Sequence, residues 1–351
     1  MQSTSEPQLQ RPKKKRLYNL SCALAKIEKE LEKKRYLYHA YILCKGFYFC
    51  RSTFCYLTPE LNTLASIIEP IQLPIFTEKG MEVFMKRDDL IHPFISGNKW
   101  RKLKYVLRDA REKQKTMLAT FGGAFSNHLL AVACAGATFG FKTTGFVRGE
   151  ELEIKNPVLK MCHLFGMRLI FIPRNDYRDK EIVYQKYFNN DPSVYFVPEG
   201  GSCLEALPGV AEIIGELPNT YDEIFTASGT GGTLSGLALG VHQHQLTTIV
   251  NGIAVIKGGE YLIQEIKNWI GDIPFQLHTQ FHRGGYARTD NELVVFARNF
   301  ARNTGIVIEP IYTAKMLIAI IQLAEENYFK PGSKILTIHS GCVWGGNGFL
   351  L

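Results

Sequence analysis

"YDEIFTASGTGGTLSGLALGV", residues 221–241, decides the fold. "YDEIFT" reads as a short strand, and "TLSGLALGV" carries its apolar residues at helical spacing. Between them lies "ASGTGGTLSG" (Ala227–Gly236). A strand that runs through a glycine loop straight into a helix is the unit from which parallel α/β sheets are built, and ligands bind such sheets at the carboxyl ends of their strands. Glycines let successive backbone N–H groups converge, and the helix N-terminus adds positive potential. Ser228, Thr230 and Thr233 can add hydroxyl donors, so a phosphate is held here without a dedicated cation. A Walker loop is excluded because no Gly-Lys-Ser/Thr is present. A dinucleotide fingerprint is excluded because position 234 is Leu and no acid lies near residue 250. What remains is a small phosphate-bearing ligand, or a tight glycine turn with none.

Outward from this unit the same texture recurs. Strands are predicted in "MEVFMKRDDL", "KTMLATFGG", "TTGFVRG", "RLIFIP", "VYFVPEGG", "TIVNGIAVI" and "KILTIHSG". Helices are predicted in "SNHLLAVACAGATFG", "NPVLKMCHLFG", "DKEIVYQKYF", "ELVVFARNFARNTG" and "YTAKMLIAIIQLAEENYF". Short apolar strands alternating with helices argue parallel α/β layering. The Gly-rich stretches follow strands, so these loops gather on one face. No internal repeat is visible.

The chain has 351 residues, 46% hydrophobic and 21% charged, enough for a large core and more than one domain. Its net charge of +8 is unevenly spread: residues 1–60 hold twelve Lys or Arg against five Glu, leaving 29 basic and 28 acidic groups in the rest. The body is nearly neutral, and the basic footprint of a nucleic-acid binder is absent. "RPKKKR" and the charged "KIEKELEKKR" precede "YLYHAYILCKGFYFCRSTFCYL", which Lys45 and Arg51 interrupt too often for a membrane span. Residues 1–60 are therefore expected to be a basic extension, disordered or non-native. A targeting arm, a membrane-surface helix or a nuclear-type signal are the alternatives. The eight cysteines form no C-x-x-C pair and no zinc spacing. They read as reduced thiols of a cytoplasmic protein, with no metal expected.

"FISGNKWRKLKY" (94–105) sets Lys99 behind a Ser-Gly-Asn turn at the start of a basic amphipathic run. A lysine solvated at a helix start is one reading. The other is an amine aimed inward, where burial lowers its pKa and makes it nucleophilic towards an aldehyde. A buried lysine and a phosphate cup in one α/β protein fit pyridoxal 5'-phosphate, the electron sink for carbanions at an amino acid's α carbon.

From about Ile71 to Leu351 the chain resembles the tryptophan synthase β-like pyridoxal-phosphate enzymes. Within them it is similar to 1-aminocyclopropane-1-carboxylate deaminase and D-cysteine desulfhydrase. The resemblance rests on "SGNKWRKL", "GGAFSNH", "ASGTGGTLSG", "EPIYTAK" and "IHSGC", five matches in family order. It implies a two-domain, three-layer parallel-sheet fold. The large cofactor-binding domain would be 61–101 and 201–351, and the small domain 102–200. It implies Lys99 as the Schiff-base lysine, which also moves the substrate α-proton, and Asn127 as partner of the cofactor's ring hydroxyl oxygen. Ser126 would grip the substrate carboxylate or act near the β carbon. Ser228, Gly229, Thr230, Gly231, Gly232 and Thr233 would cup the phosphate, and Tyr286 and Tyr312 would face the substrate. Without the family match, either tyrosine reads as core and "SNH" as a helix cap.

The partner of the pyridine nitrogen separates the members. After the active-site tyrosine the deaminase carries glutamate; here Thr313 follows Tyr312, as in desulfhydrase-like members, and "IHSGC" adds Ser340 where desulfhydrases carry threonine. A hydroxyl partner suffices for β-elimination but gives less help in opening a cyclopropane. The expectation is β-elimination from D-cysteine to pyruvate, ammonia and sulfide. The alternatives are 1-aminocyclopropane-1-carboxylate deaminase giving 2-oxobutyrate and ammonia, a serine or threonine dehydratase acting on L-amino acids, and a non-catalytic cofactor- or phosphate-binding module. Cys342 departs from the family's glycine. A small amino acid is the expected partner, with no nucleic acid or membrane, and a homodimer is implied by resemblance alone.

Overall fold

A computed structural model describes residues 66–150 and 156–341, so the expectations for residues 1–60 and for Cys342 lie outside the described residues. The strands are β1 (Ile68–Pro70), β2 (Glu82–Lys86), β3 (Met117–Gly123), β4 (Lys142–Arg148), β5 (Arg168–Ile172), β6 (Val194–Val197), β7 (Glu223–Ser228), β8 (Ile249–Ala254), β9 (Gln276–His278) and β10 (Lys334–Ile338). The helices are α1 (Pro74–Glu78), α2 (Asn98–Glu112), α3 (Asn127–Phe139), α4 (Pro157–Leu164), α5 (Lys180–Phe188), α6 (Leu207–Gly215), α7 (Gly232–Gln243), α8 (Tyr261–Ile270), α9 (Asn291–Thr304) and α10 (Thr313–Glu325).

The strands form two sheets within one unit, Tyr56–Leu351. The six-stranded sheet has the order β1-β2-β10-β7-β8-β9, and the four-stranded sheet β5-β4-β3-β6. Pairing is parallel throughout except at the β1–β2 edge, where Glu69 lies opposite Met85 in antiparallel register, a departure from the purely parallel expectation. β10 is a central strand: Thr337 pairs with Met85 of β2 on one side and with Phe225 of β7 on the other.

Parallel sheets need apolar cover on both faces, and strand alternation supplies it. On β7, Phe225 points into a core with Met85, Phe300 and Leu317, while Ile224 points into another with Val210, Leu234 and Ile266. The four-stranded sheet is covered likewise. Leu118 and Val147 pack with Leu103, Leu130 and Leu159 of α2, α3 and α4, whereas Phe121 and Phe146 pack with Val183 of α5. α2 earns its place by spacing: Trp100, Leu103, Val106, Leu107 and Ala110 are buried, a stripe of helical period. α3 is apolar on nearly every side and runs buried for most of its length.

The chain passes from the large sheet to the small one through α2, and a buried ion network holds that passage. Arg101 is 2% exposed and donates to Asp88 Oδ2 at 3.1 Å and to Glu216 Oε2 at 2.8 Å. Lys86, fully buried, donates to the same Glu216 carboxylate at 2.8 Å. These pairs join the end of β2, the first turn of α2 and the residue after α6.

Candidate functional site

Two loops and two helix starts meet where the strands of the large sheet end. Ser228 ends β7, and the loop after it enters α7 through Gly231, whose φ of +75° belongs to glycine. Gly232 has no room for a side chain either, since a Cβ there would stand 2.5 Å from Ser202 Oγ. α2 begins against the end of β10. Gly97 has φ +59°, and the N–H of Asn98 donates to the carbonyl of Ser340 at 3.1 Å. This crossing fixes the first turn of α2, and with it the direction in which Lys99 leaves.

A cleft of about 420 Å³, counting its open mouth, gathers these pieces. Of the residues predicted from sequence, Lys99, Ser228, Gly229, Thr230, Gly231, Thr233, Tyr312 and Ser340 line it. Lys99 is half-buried there. Tyr312 leans on the glycine loop: a Cβ at Gly229 would lie 3.2 Å from Tyr312 Cε1. The remaining five stand around this lining. Gly232 is the first residue of α7, and Thr313 is the first of α10, buried behind Tyr312. Tyr286 is 43% exposed, and its ring meets Tyr312 edge to face with centroids 5.9 Å apart. Ser126 caps α3 by accepting the N–H of Leu129 at 3.3 Å, and Asn127 follows it in the first turn. The capping role foreseen for "SNH" is thus realised. The turn still belongs to the neighbourhood, because the charges of Lys99 and Lys102 both act on His128, the next residue along.

Sequence reading missed several members. Asn98 and Gly200 line the cleft, and so does Lys102, only 2% exposed. Lys102 Nζ donates to Ser202 Oγ at 2.9 Å and to the carbonyl of Gly200 at 3.3 Å, and Ser202 shares a 2.6 Å hydroxyl contact with Thr230 of the glycine loop. The loop therefore does have a cation beside it, contrary to the sequence expectation. Its signal was the i, i+3 spacing from Lys99, which places both lysines on one side of α2. Glu309 was missed as well. Fully inside the protein, it accepts the N–H groups of Ile311, Tyr312 and Thr313, at 2.7 Å for Ile311 and for Thr313, and so fixes the turn that presents Tyr312. Burial outweighs those donors and raises its pKa to about 7.

The donor set fits a phosphorylated aldehyde. The lining combines the Lys99 amine with the glycine loop's backbone N–H groups, hydroxyls and Lys102. Asn98 Oδ1 and Ser228 Oγ, both buried and both on cleft-lining residues, have no hydrogen-bond partner within the protein, as expected of groups that wait for a polar ligand. His128 is buried too, and its pKa falls well below the ordinary value because of burial and the nearby lysines. Among the described residues, no group of three or more His, Cys, Asp or Glu is placed to hold a metal ion, and no helix is long and apolar enough to cross a membrane.

Comparison with known proteins agrees with this donor set. Residues 68–341 match the family described as "Pyridoxal-phosphate dependent enzyme". A Thermotoga maritima protein named "Putative 1-aminocyclopropane-1-carboxylate deaminase" is 30% identical over 79% of this chain and 94% of its own length. The mitochondrial bifunctional D-cysteine desulfhydrase/1-aminocyclopropane-1-carboxylate deaminase of Arabidopsis thaliana is 26% identical, over 76% of this chain and 73% of that protein. A crystal structure of an ACC deaminase homologue superposes with a TM-score of 0.74 at 29% identity, covering 83% of this chain and 94% of the other. With the fold, the cleft and the family match in agreement, this chain belongs to the pyridoxal-phosphate-dependent enzymes, among the relatives of 1-aminocyclopropane-1-carboxylate deaminase and D-cysteine desulfhydrase.

Proposed function

We propose that this enzyme catalyses β-elimination from D-cysteine, with water consumed and pyruvate, ammonia and sulfide released. One observation carries the choice: no carboxylate lines the cleft among the described residues, which offers the hydroxyls of Ser228, Thr230, Thr233, Tyr312 and Ser340 instead. Thr313, 1% exposed, stands where a glutamate follows the tyrosine in the deaminase. Its hydroxyl lies close enough to Glu309 to lower that group's pKa but makes no well-aligned hydrogen bond. Pyridoxal phosphate, when bound, supplies an electron sink for the α carbanion. A neutral hydroxyl as partner of its ring nitrogen, from Thr313 or Ser340, would leave that sink weak. A weak sink is adequate where thiolate departs from the β carbon, and inadequate for breaking an unactivated cyclopropane ring.

The residues take roles that follow from their places. Lys99 would hold the cofactor's aldehyde and would move the proton at the substrate α carbon. The Gly229–Thr233 loop, with Ser228 and Lys102, would hold the phosphate, and Asn127 would hold the ring hydroxyl oxygen. Ser126, at the positive end of α3, receives the substrate carboxylate. Tyr312 and Tyr286 close over the substrate side and exclude water. The same proposal divides the unit into a large domain (61–101 and 201–351) and a small one (102–200), a division supported by the two separate sheets. It also takes the enzyme to be a cytoplasmic homodimer, with Cys134, Cys162 and Cys203 as free thiols.

The test is keto-acid release by cofactor-loaded protein with D-cysteine, L-cysteine, L-serine and 1-aminocyclopropane-1-carboxylate in parallel. Pyruvate and sulfide from D-cysteine alone are expected. Release of 2-oxobutyrate from the cyclopropane substrate at a comparable rate overturns the hydroxyl argument.

A further inference from the structure

We infer that Lys315 is a positioning residue for Tyr286: it latches the loop that carries this tyrosine onto the same helix turn that presents Tyr312. The inference rests on the reading of Tyr286 as a residue that closes over the substrate.

Lys315 is fully buried in the first turn of α10, yet it does not line the cleft. Its Nζ donates to the carbonyl of Gly285 at 2.7 Å and to that of His282 at 2.9 Å. Both carbonyls belong to the loop between β9 and α9, and they flank the approach to Tyr286. That loop is unusual in its backbone. Arg283, Gly284, Gly285 and Ala287 have φ values of 47°, 83°, 109° and 54°, so four of five consecutive residues lie in the left-handed region around Tyr286. A backbone of this kind persists only where its surroundings over-determine it.

The other ties are weaker. Gly284 and Gly285 donate back to His282, which stabilises the turn but anchors it to nothing outside itself. Arg283 pairs with Asp290 and Glu292, whose side chains are 46% and 70% exposed, so these pairs contribute little. Lys315 alone among these ties is buried and charge-assisted. Burial lowers its pKa to about 8, Glu309 and Asp290 oppose the fall, and Arg283 adds to it, so the ammonium persists at neutral pH.

The geometry links both tyrosines to one short segment. Glu309 fixes Tyr312 through its backbone N–H, and Lys315 lies three residues beyond Tyr312. The loop held by Lys315 brings Tyr286 against Tyr312, ring to ring at 5.9 Å. Lys315 does not itself line the cleft, so its loss is expected to reach the substrate side chiefly through the loop that carries Tyr286.

The experiment uses the holoenzyme and Lys315→Met, Tyr286→Ala and the double variant. Amide hydrogen exchange across 282–288 and turnover of D-cysteine are both measured. A charge-assisted hydrogen bond lost from a buried pair corresponds to roughly ten- to hundredfold. Lys315→Met should therefore speed exchange in 282–288 by about tenfold or more, and lower kcat by a similar factor while exchange in β7 and β10 stays unchanged. Added to Tyr286→Ala, the same change should lower kcat by less than about twofold, because the two act as one unit. Should Lys315→Met fail to fold, Lys315→Gln keeps one donor and should give the same pattern at smaller size. Unchanged loop exchange, or losses that multiply in the double variant, overturns the inference. Full turnover in Tyr286→Ala overturns the role given to that tyrosine, while the exchange measurement still decides whether Lys315 is the latch.

Discussion

Gly97→Ala is the sharpest test of how the lysine is placed. At this position a Cβ would lie 2.1 Å from the Ser340 carbonyl oxygen, 2.2 Å from its carbon and 2.5 Å from the N of Gly341, all of them backbone atoms. The φ of +59° with ψ −133° adds strain of roughly 1–3 kcal/mol for any L side chain. Relieving the clash means separating the start of α2 from the end of β10 by about 1 Å, a displacement of the kind that overpacking makes at about 1–3 kcal/mol. The same displacement breaks the Asn98–Ser340 hydrogen bond, a further ~1 kcal/mol. The combined cost is about 3–7 kcal/mol, which in a unit of this size lowers the melting temperature by on the order of 10 °C. Differential scanning fluorimetry of the apo protein measures that loss, and the visible absorption of the lysine-bound cofactor reports whether Lys99 is still in place. A variant that melts within about 2 °C of wild type and binds cofactor with unchanged absorption would refute the reasoning.

Three further outcomes follow from the site. Arg101→Met leaves Asp88 and Glu216 short of their main partner and should cost about 3–5 kcal/mol in urea unfolding, with the denaturant slope unchanged. Lys102→Met should raise the dissociation constant for pyridoxal phosphate at least about tenfold in a fluorescence titration, and an unchanged constant would remove this lysine from the phosphate site. Glu309 holds its proton in the folded state up to about pH 7, whereas the unfolded carboxyl ionises near 4.5, so its contribution to stability is full below the lower value and lost as pH rises through the higher. That separation is worth on the order of 3 kcal/mol. Wild type should therefore lose stability relative to Glu309→Gln between about pH 4.5 and 7, and parallel melting curves across that range would show that the carboxyl is not held protonated in the folded state.

What the sequence made legible was local. The strand–glycine–helix unit at 221–241 needs only neighbouring residues to declare itself, and β7, the loop and α7 lie where its pattern put them. Lys99 was legible because a glycine and an asparagine precede it. α6 was not, because "LPGVAEIIG" opens on proline and glycine, and its helix is set by packing: Gly209 lies so near Arg101 that a Cβ would stand 1.9 Å from the Arg101 carbonyl. β1 and β9, three residues each, are too short to show a period. Lys102 looked like one more cation in a basic run. Its burial comes from Gly200–Ser202, a hundred residues on, and no local pattern reports a contact of that span.

The central place of β10 has a consequence for how the enzyme is made. β3 to β6 are contiguous in the chain, so the four-stranded sheet can close as soon as Val197 has left the ribosome. The six-stranded sheet cannot, because β2 and β7 have no contact as neighbours until β10 slides between them. Until then Gly97 has no Ser340 to rest against, and Lys99 has no fixed direction. The nascent chain thus carries the Lys99 amine for most of its synthesis without a formed pocket around it. Cofactor capture becomes a late event, timed by the arrival of one five-residue strand.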